Sequence, residues 1–441
     1  MQLKIEKIIY GGQGLARIPE SEGDAEGKRI FVPFTLPGEE VEAGLLPAPS
    51  KKSTQGFAHG KLVRVLDASP QRAEPACPHF TRCGGCHLQH ANDAAQAEIK
   101  RGVLRESLDR AGVKNLPEIF VLAGPPLAYR NRARVQLQHT PEFQLGYRER
   151  ASHALAVIEQ CPVLSPALQH ALQVLLTLGR SGEIPATVEE VEIFANHDGS
   201  ALLLSLFTSA PRPDAEELFT SFLVRLSAAA PALRGAAAFS RASGHAPAPA
   251  EPWLRWREQQ LLYSVSEFDY RVSLGSFFQI NQPLLPEFVA LVTNEWSGKL
   301  AWDLYAGVGL FARRLAQRFE QVIAVEIASS SVRDLRHNLS GLPAAIASAA
   351  TENFLRHALA QRTTAPDLAL LDPPRAGLGA RAAILLAQCR PRSIVYVSCD
   401  PATLSRDVKT LVESGYCLDR LHMVDLFPQT YHQEAVAVLQ R

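Results

Sequence analysis

Residues 300–311 read LAWDLYAGVGLF: a short apolar run, a Gly-x-Gly turn, and a helical pattern that starts at Leu310. The alternation continues through VIAVE (322–326) with a helix from Ser329, DLALLD (367–372) with a helix from Ala380, and SIVYVSC (393–399). Apolar runs that alternate with helices predict a parallel sheet covered on both faces, the doubly wound α/β arrangement. Two later runs, 422–426 and 435–439, are expected to complete the sheet.

In open α/β sheets ligands lie beyond the carboxyl ends of the strands, so the residues there are the candidates for chemistry. Gly307 and Gly309 let the backbone approach a nucleotide-like ligand, and Glu326, about 20 residues on, can accept hydrogen bonds from ribose hydroxyls. The pair predicts an adenosine-bearing cofactor without choosing between NAD and S-adenosylmethionine. Asp372 ends its run in DPPR, where the prolines stiffen the loop. Cys399 follows a strand and precedes Asp400-Pro401. A lone cysteine there is most often a small hydrophobe. With Asp372 one strand over and Glu434 in YHQEAV, the three predict a nucleophile and a base at one sheet edge.

At 441 residues the chain is long enough for several domains. It is 46% hydrophobic and 20% charged, as soluble globular proteins are. Its formal net charge is zero, so nucleic-acid binding would have to come from a local patch. MQLKIEKIIY has no signal-peptide apolar region, and no run is long enough to span a bilayer. A cytoplasmic location without membrane association is expected. There, seven cysteines point to metal ligands or a nucleophile rather than to disulfides.

Upstream, strands expected at 3–9, 30–34, 39–46 and 60–66, with loops at 20–27 and 47–54, make residues 1–68 a small barrel of the OB type. Cys77, Cys83 and Cys86 crowd into PACPHFTRCGGCHLQH (75–90), and Cys161 follows at a distance. Four thiolates suit zinc or a [4Fe-4S] cluster, and spacing does not separate them. His87 and His90 read as surface or supporting groups, not ligands. A helix is expected over 92–112. In LAYRNRARVQLQ (127–138), Arg130, Arg132 and Arg134 share one face of a strand. That face is either simply solvated or a phosphate-contacting ribbon with Tyr129 available to stack on a base. Residues 166–270 predict helices at 166–178 and 211–229, strands at 188–194 and 201–207, and a surface loop at APAPAEP (246–252), with no chemistry.

Taken together, YGGQGLAR, CPHFTRCGGCHLQH, YRNRAR, FFQIN, DLYAGVGLF, LDPPRAG, SCDPATLSRD and HQEAV occur in an order and spacing that extend over nearly the whole chain. In them the chain resembles the RNA uracil-C5 methyltransferases, specifically the TRAM-bearing, iron–sulfur bacterial type that modifies large-subunit rRNA. The resemblance implies a multidomain α/β protein: an OB-like TRAM barrel (1–68), a central α+β domain with the cysteine cluster (69–270), and a Rossmann-like S-adenosylmethionine-dependent methyltransferase domain (271–441). It implies that Cys77, Cys83, Cys86 and Cys161 hold a [4Fe-4S] cluster. Gln279, Tyr305, Gly307, Glu326 and Asp372 would contact S-adenosylmethionine, Cys399 would be the nucleophile and Glu434 the base. The expected substrate is a uridine of 23S rRNA, with the tRNA T-loop uridine as the alternative and a non-catalytic RNA-binding protein behind both. A monomer is expected. A redox or radical enzyme is disfavoured, because C-x5-C-x2-C differs from the C-x3-C-x2-C of radical enzymes. The family's Asp or Asn near the adenine amino group aligns with Ala350, leaving Glu352 or Asn353 as nearby substitutes. Ala306 stands where relatives often have cysteine.

Overall fold

The structure, a computed structural model, describes residues 1–19, 27–47, 56–209, 215–240 and 251–441. Its largest sheet has eight strands. They lie in the order Ala344–Ser348, Phe319–Glu326, Gly298–Leu304, Leu368–Leu371, Ser393–Ser398, Glu434–Gln440, Cys417–Asp425 and Ile119–Ala123. The first five pair in parallel. Every residue of Leu368–Leu371 and Ser393–Ser398 is buried, as a sheet covered on both faces requires. Val395 and Val397 face a cluster that includes Phe288 and Phe311, while Ile394 and Tyr396 face Leu104, Leu386 and Leu404.

Two features of this sheet go beyond the sequence expectation. Glu434–Gln440 runs antiparallel to both neighbours and inserts between Ser393–Ser398 and Cys417–Asp425. Ile119–Ala123, from the stretch assigned to the central region, adds an edge strand parallel to Cys417–Asp425. The helix Asp93–Ala111 packs on the same sheet through Leu104 and Leu108. Its ends follow local chemistry. The Asn92 side chain accepts the Ala95 N–H, and Gly112 turns left-handed at φ 84°.

A second sheet has seven strands, with Arg132–Gln138, Val188–Ala195, Leu202–Thr208 and Leu233–Ser240 at its centre. Helices Pro166–Arg180 and Ala215–Ala229 cover it through Leu168, Leu172, Phe219 and Phe222. The arginine ribbon expected here is not free. Arg132 lies 4.1 Å over the Phe194 ring and donates to the Ser276 carbonyl, and Arg134 lies 3.9 Å over Phe207 and pairs with Glu190. Tyr129 is fully buried, its hydroxyl donating to the Pro428 carbonyl at 2.9 Å, so no base can stack on it. Arg132 and Arg134 are held by rings and acceptors from neighbouring strands and loops, although Arg134 stays partly exposed.

The six-stranded N-terminal sheet packs Leu3, Ile5, Ile30, Val32 and Val41 into its own core. The expected strand 3–9 is two strands, Gln2–Lys4 and Lys7–Ile9, because the first pairs with Glu40–Leu45 and the second with Gln13–Arg17. Most of the loops expected at 20–27 and 47–54, the helix start at 211–214 and most of APAPAEP lie outside the described residues. Among the described residues, no helix is long and apolar enough to cross a membrane.

One ion pair ties the helix Asp93–Ala111 to the loop before Glu434. Lys100 Nζ lies 2.6 Å from Asp425 Oδ1 and 3.0 Å from the Phe427 carbonyl, and the lysine is 1% exposed. Removing one partner of a buried pair leaves the other charge without compensation. Lys100→Met and Asp425→Leu should each destabilise the protein by roughly 3–5 kcal/mol, and the double replacement combining the two should recover most of the loss. Urea unfolding of the four proteins measures this. Additive losses would show that the two groups act independently.

Candidate active site at the carboxyl edge of the large sheet

The parallel strands end level with one another: Leu304 pairs with Val325 and Leu371, and Leu371 with Tyr396. Tyr305, Glu326, Asp372 and Cys399 therefore emerge at one edge. Ser398 pairs with Ala435 in the antiparallel insertion, which brings Glu434 to the same edge.

The turn after the first of these strands is held in a specific shape. Tyr305, Gly307 and Gly309 all have positive φ (68°, 55° and 94°). For a tyrosine that conformation is uncommon and costly, so its surroundings must enforce it. Glu326 does part of this, accepting the Gly307 N–H at 2.9 Å and the Ile327 and Ala328 N–H groups at 2.7 Å each. Asn338 braces the turn by donating to the Val308 carbonyl at 2.8 Å. Gln279 is buried, and its carbonyl accepts from Asn131 at 3.1 Å. Neither substitute for Ala350 is free: Glu352 is engaged by Arg356 and Arg381, and Asn353 accepts from Arg356.

Cys399, Glu434, Asp372 and Arg375 form one electrostatic group. Burial, then the charges of Glu434 and Asp372, push the Cys399 thiol up to about 12, with Arg375 opposing. Burial and Asp372 hold the Glu434 carboxyl well above the usual range, again against Arg375, and among the described residues one Glu434 oxygen has no hydrogen-bond partner. Burial raises Asp372 to about 7. Burial thus favours the protonated thiol in the free protein and shifts both carboxyls toward their protonated forms. The helix that follows begins at Pro401, capped by Asp400, whose Oδ1 accepts the Ala402 and Thr403 N–H groups at 3.0 and 2.9 Å.

One buried acid escaped the sequence reading. Asp303 is 0% exposed, and burial raises it to about 8; the Ala312 backbone N–H opposes this, and Asp372 and Glu326 add to it. The signal was present: a charge in the middle of an apolar strand, LAWDL.

The four cysteines of the central region converge. Cys77, Cys83, Cys86 and Cys161 line one cavity of about 250 Å³ together with Arg130 and Tyr147. Burial raises all four thiols, Cys86 to about 12 and Cys161 to about 11. Among the described residues, no three Cys, His, Asp or Glu side chains form a group that could hold a metal ion. His87 and His90 stay outside this cavity, but His90 is no surface group. It is 2% exposed, stacks on Phe80 and lies 3.2 Å from the Thr35 carbonyl.

The family model described as "tRNA (Uracil-5-)-methyltransferase" matches residues 255–441. The "23S rRNA (uracil(1939)-C(5))-methyltransferase RlmD" of Pectobacterium carotovorum is 34% identical over 97% of this chain and 91% of its own length. The chain belongs to the RNA uracil-C5 methyltransferase family. Another member, bearing the same name in Chromohalobacter salexigens, is 33% identical over 100% of this chain and 89% of its own. The fold is that of the Pyrococcus abyssi tRNA (uracil-54, C5)-methyltransferase solved with S-adenosyl-L-homocysteine, with TM-score 0.75, 24% identity and full coverage of both chains. The family's methyltransferase fold thus accounts for the large sheet and its edge.

Asp303 gives a pH-dependent prediction. Its folded value lies above its unfolded one, so the unfolded chain releases this proton at lower pH than the folded protein does. Stability therefore falls as pH rises from about 4 to about 8. Asp303→Asn removes that slope. Its melting temperature relative to the parent should climb steadily between pH 4.5 and pH 8, and a constant difference would contradict the burial argument.

Proposed function

We propose that this protein transfers a methyl group from S-adenosylmethionine to C5 of a uridine in 23S rRNA, through a covalent bond between Cys399 and C6 of the base. The observation that carries the reading is the meeting of a half-exposed thiol and two buried carboxyls, beside a nucleotide-type turn, in a chain of this family. The 23S assignment rests on the relatives' names over nearly the full length.

The methyl donor supplies an electrophilic carbon. Tyr305, Gly307 and Glu326 form its proposed cradle with Gln279 and Asp372, because the left-handed turn brings backbone close and Glu326, which accepts three backbone N–H groups, keeps one acceptor position for a ribose hydroxyl. Uracil C5 is a poor nucleophile. Addition of the Cys399 thiolate to C6 moves electron density onto C5, which then accepts the methyl group. Glu434, as carboxylate, removes the C5 proton, and elimination restores the ring and frees Cys399. A base stacked inside a duplex cannot present C6 to Cys399 at the sheet edge, so the uridine must be unstacked and turned into the pocket.

The four central cysteines are proposed to hold a [4Fe-4S] cluster. A donor set of thiols alone, drawn from two chain segments that line one cavity, fits such a cluster; the choice over zinc rests on the family resemblance. Residues 1–68 are proposed as a TRAM-type barrel and 69–270 as the cluster domain, with 271–441 as the Rossmann-like catalytic domain. The protein is taken to act in the cytoplasm as a monomer.

The test is transfer of labelled methyl groups to a 23S rRNA fragment spanning the uridine at position 1939 named for the relatives, with tRNA in parallel. Cys399→Ala should abolish transfer. Glu434→Gln should lose turnover yet accumulate protein–RNA adduct, because the methylated intermediate cannot lose its proton. Retained activity in Cys399→Ala would refute the mechanism, and transfer to tRNA alone would reassign the substrate. Because burial holds the thiol protonated and raises both carboxyls in the free protein, kcat/KM should rise between pH 6 and pH 9. A fall over that range would contradict the assigned protonation states.

A further inference from the structure

Four aromatic rings from three distant parts of the chain meet at the rim of this site. Tyr431 is central: its ring lies 5.3 Å from Tyr10, edge-on, 4.6 Å from His87 and 4.1 Å from His432. Two contacts tie the group to the reacting residues. The Tyr10 hydroxyl donates to Asp400 Oδ2 at 3.1 Å, immediately after Cys399. His432 Nε2 is 3.5 Å from Arg375 Nη2, the guanidinium whose charge reaches Cys399 and Glu434.

All four rings are half-buried, and none belongs to a hydrophobic core. The loop that carries Tyr431 is held before any ligand arrives. The His87 and Leu88 N–H groups donate to the Gln429 carbonyl at 2.8 and 3.0 Å, and Gln96 bonds both the Gln429 backbone N–H and its side chain. Burial and the nearby Arg375 lower His432 to about 4, so its imidazole presents a neutral ring and not a cation for phosphate. Neutral, pre-positioned aromatic faces beside a pocket that must receive an extruded base match the π-faces of nucleobases.

We propose that Tyr10, His87, Tyr431 and His432 form a stacking platform for the nucleobase next to the target uridine in a single-stranded RNA segment. The platform rests on the reading of Cys399 as the centre of RNA methylation and adds to it a second base contact. It would compensate the RNA for stacking lost when the uridine leaves its neighbours. Tyr431, which touches all three other rings, has the largest share.

The test uses the full-length protein, S-adenosylmethionine and the 23S rRNA fragment, with KM and kcat read separately. Tyr431→Ala should raise KM and weaken RNA binding about 10-fold with kcat little changed, while Tyr431→Phe should match the parent. Fragments carrying an abasic nucleotide at each position flanking the uridine locate the contact. At one position the parent should lose the same factor, and Tyr431→Ala should lose nothing more. Unchanged affinity in Tyr431→Ala, a loss in kcat alone, or losses that add at every abasic position would overturn the platform. Methylation of the intact fragment by the parent is followed in the same assay. If it is absent, the underlying reading fails and the platform with it; if it is present while the abasic series adds, only the platform fails.

Discussion

The antiparallel register between Ser393–Ser398 and Glu434–Gln440 is the constraint on which the site depends. Ser398 opposes Ala435, so the chain leaves one strand at Cys399 as it enters the other at Glu434. A slip of one residue would turn Glu434 to the opposite face. The register is held by alternation on both faces, with Val395, Val397, Val436 and Val438 toward one core and Ile394, Tyr396, Ala437 and Leu439 toward the other. The Lys100–Asp425 pair and the Gln96–Gln429 bonds then fix the loop between Cys417–Asp425 and Glu434–Gln440.

The same packing sets the chemistry. Strands buried on both faces leave little water at their ends, and that dry environment, more than any single neighbour, raises Cys399, Asp372, Glu434 and Asp303. A site of this kind is quiet when empty. Arg375 is the opposing cation, and its carbonyl accepts from Thr403 on the helix that begins at Pro401. Cys399, Glu434 and Arg375 thus sit on adjoining segments of one sheet edge.

Much of this arrangement was legible in the sequence, because it is written locally. The apolar runs and their spacing predict the parallel strands, and Asn92 and Gly112 bracket a helix that runs Asp93–Ala111. The cysteine spacing predicts a shared cavity. What the sequence did not reveal depends on partners far along the chain. Arg132 and Arg134 read as a charged face but lie over Phe194 and Phe207. Tyr129 read as a stacking residue but donates to Pro428, 299 positions away. Ile119–Ala123 reads as one more short strand, and nothing local says that it joins the C-terminal sheet. The rings at the rim come from positions 10, 87, 431 and 432, and only the fold assembles them.

The central claim is that Cys399 attacks the pyrimidine ring, and covalent trapping tests it most directly. A 23S rRNA fragment with 5-fluorouridine at the target position would be incubated with the protein and S-adenosylmethionine, digested, and the linked peptide sequenced by mass spectrometry. Fluorine at C5 cannot leave as a proton does, so the adduct should persist, with the nucleotide attached to the peptide at Cys399 and the methyl group on the base. An adduct mapped to another residue, or methylation of ordinary uridine by a protein that never forms the fluorinated adduct, would contradict the account.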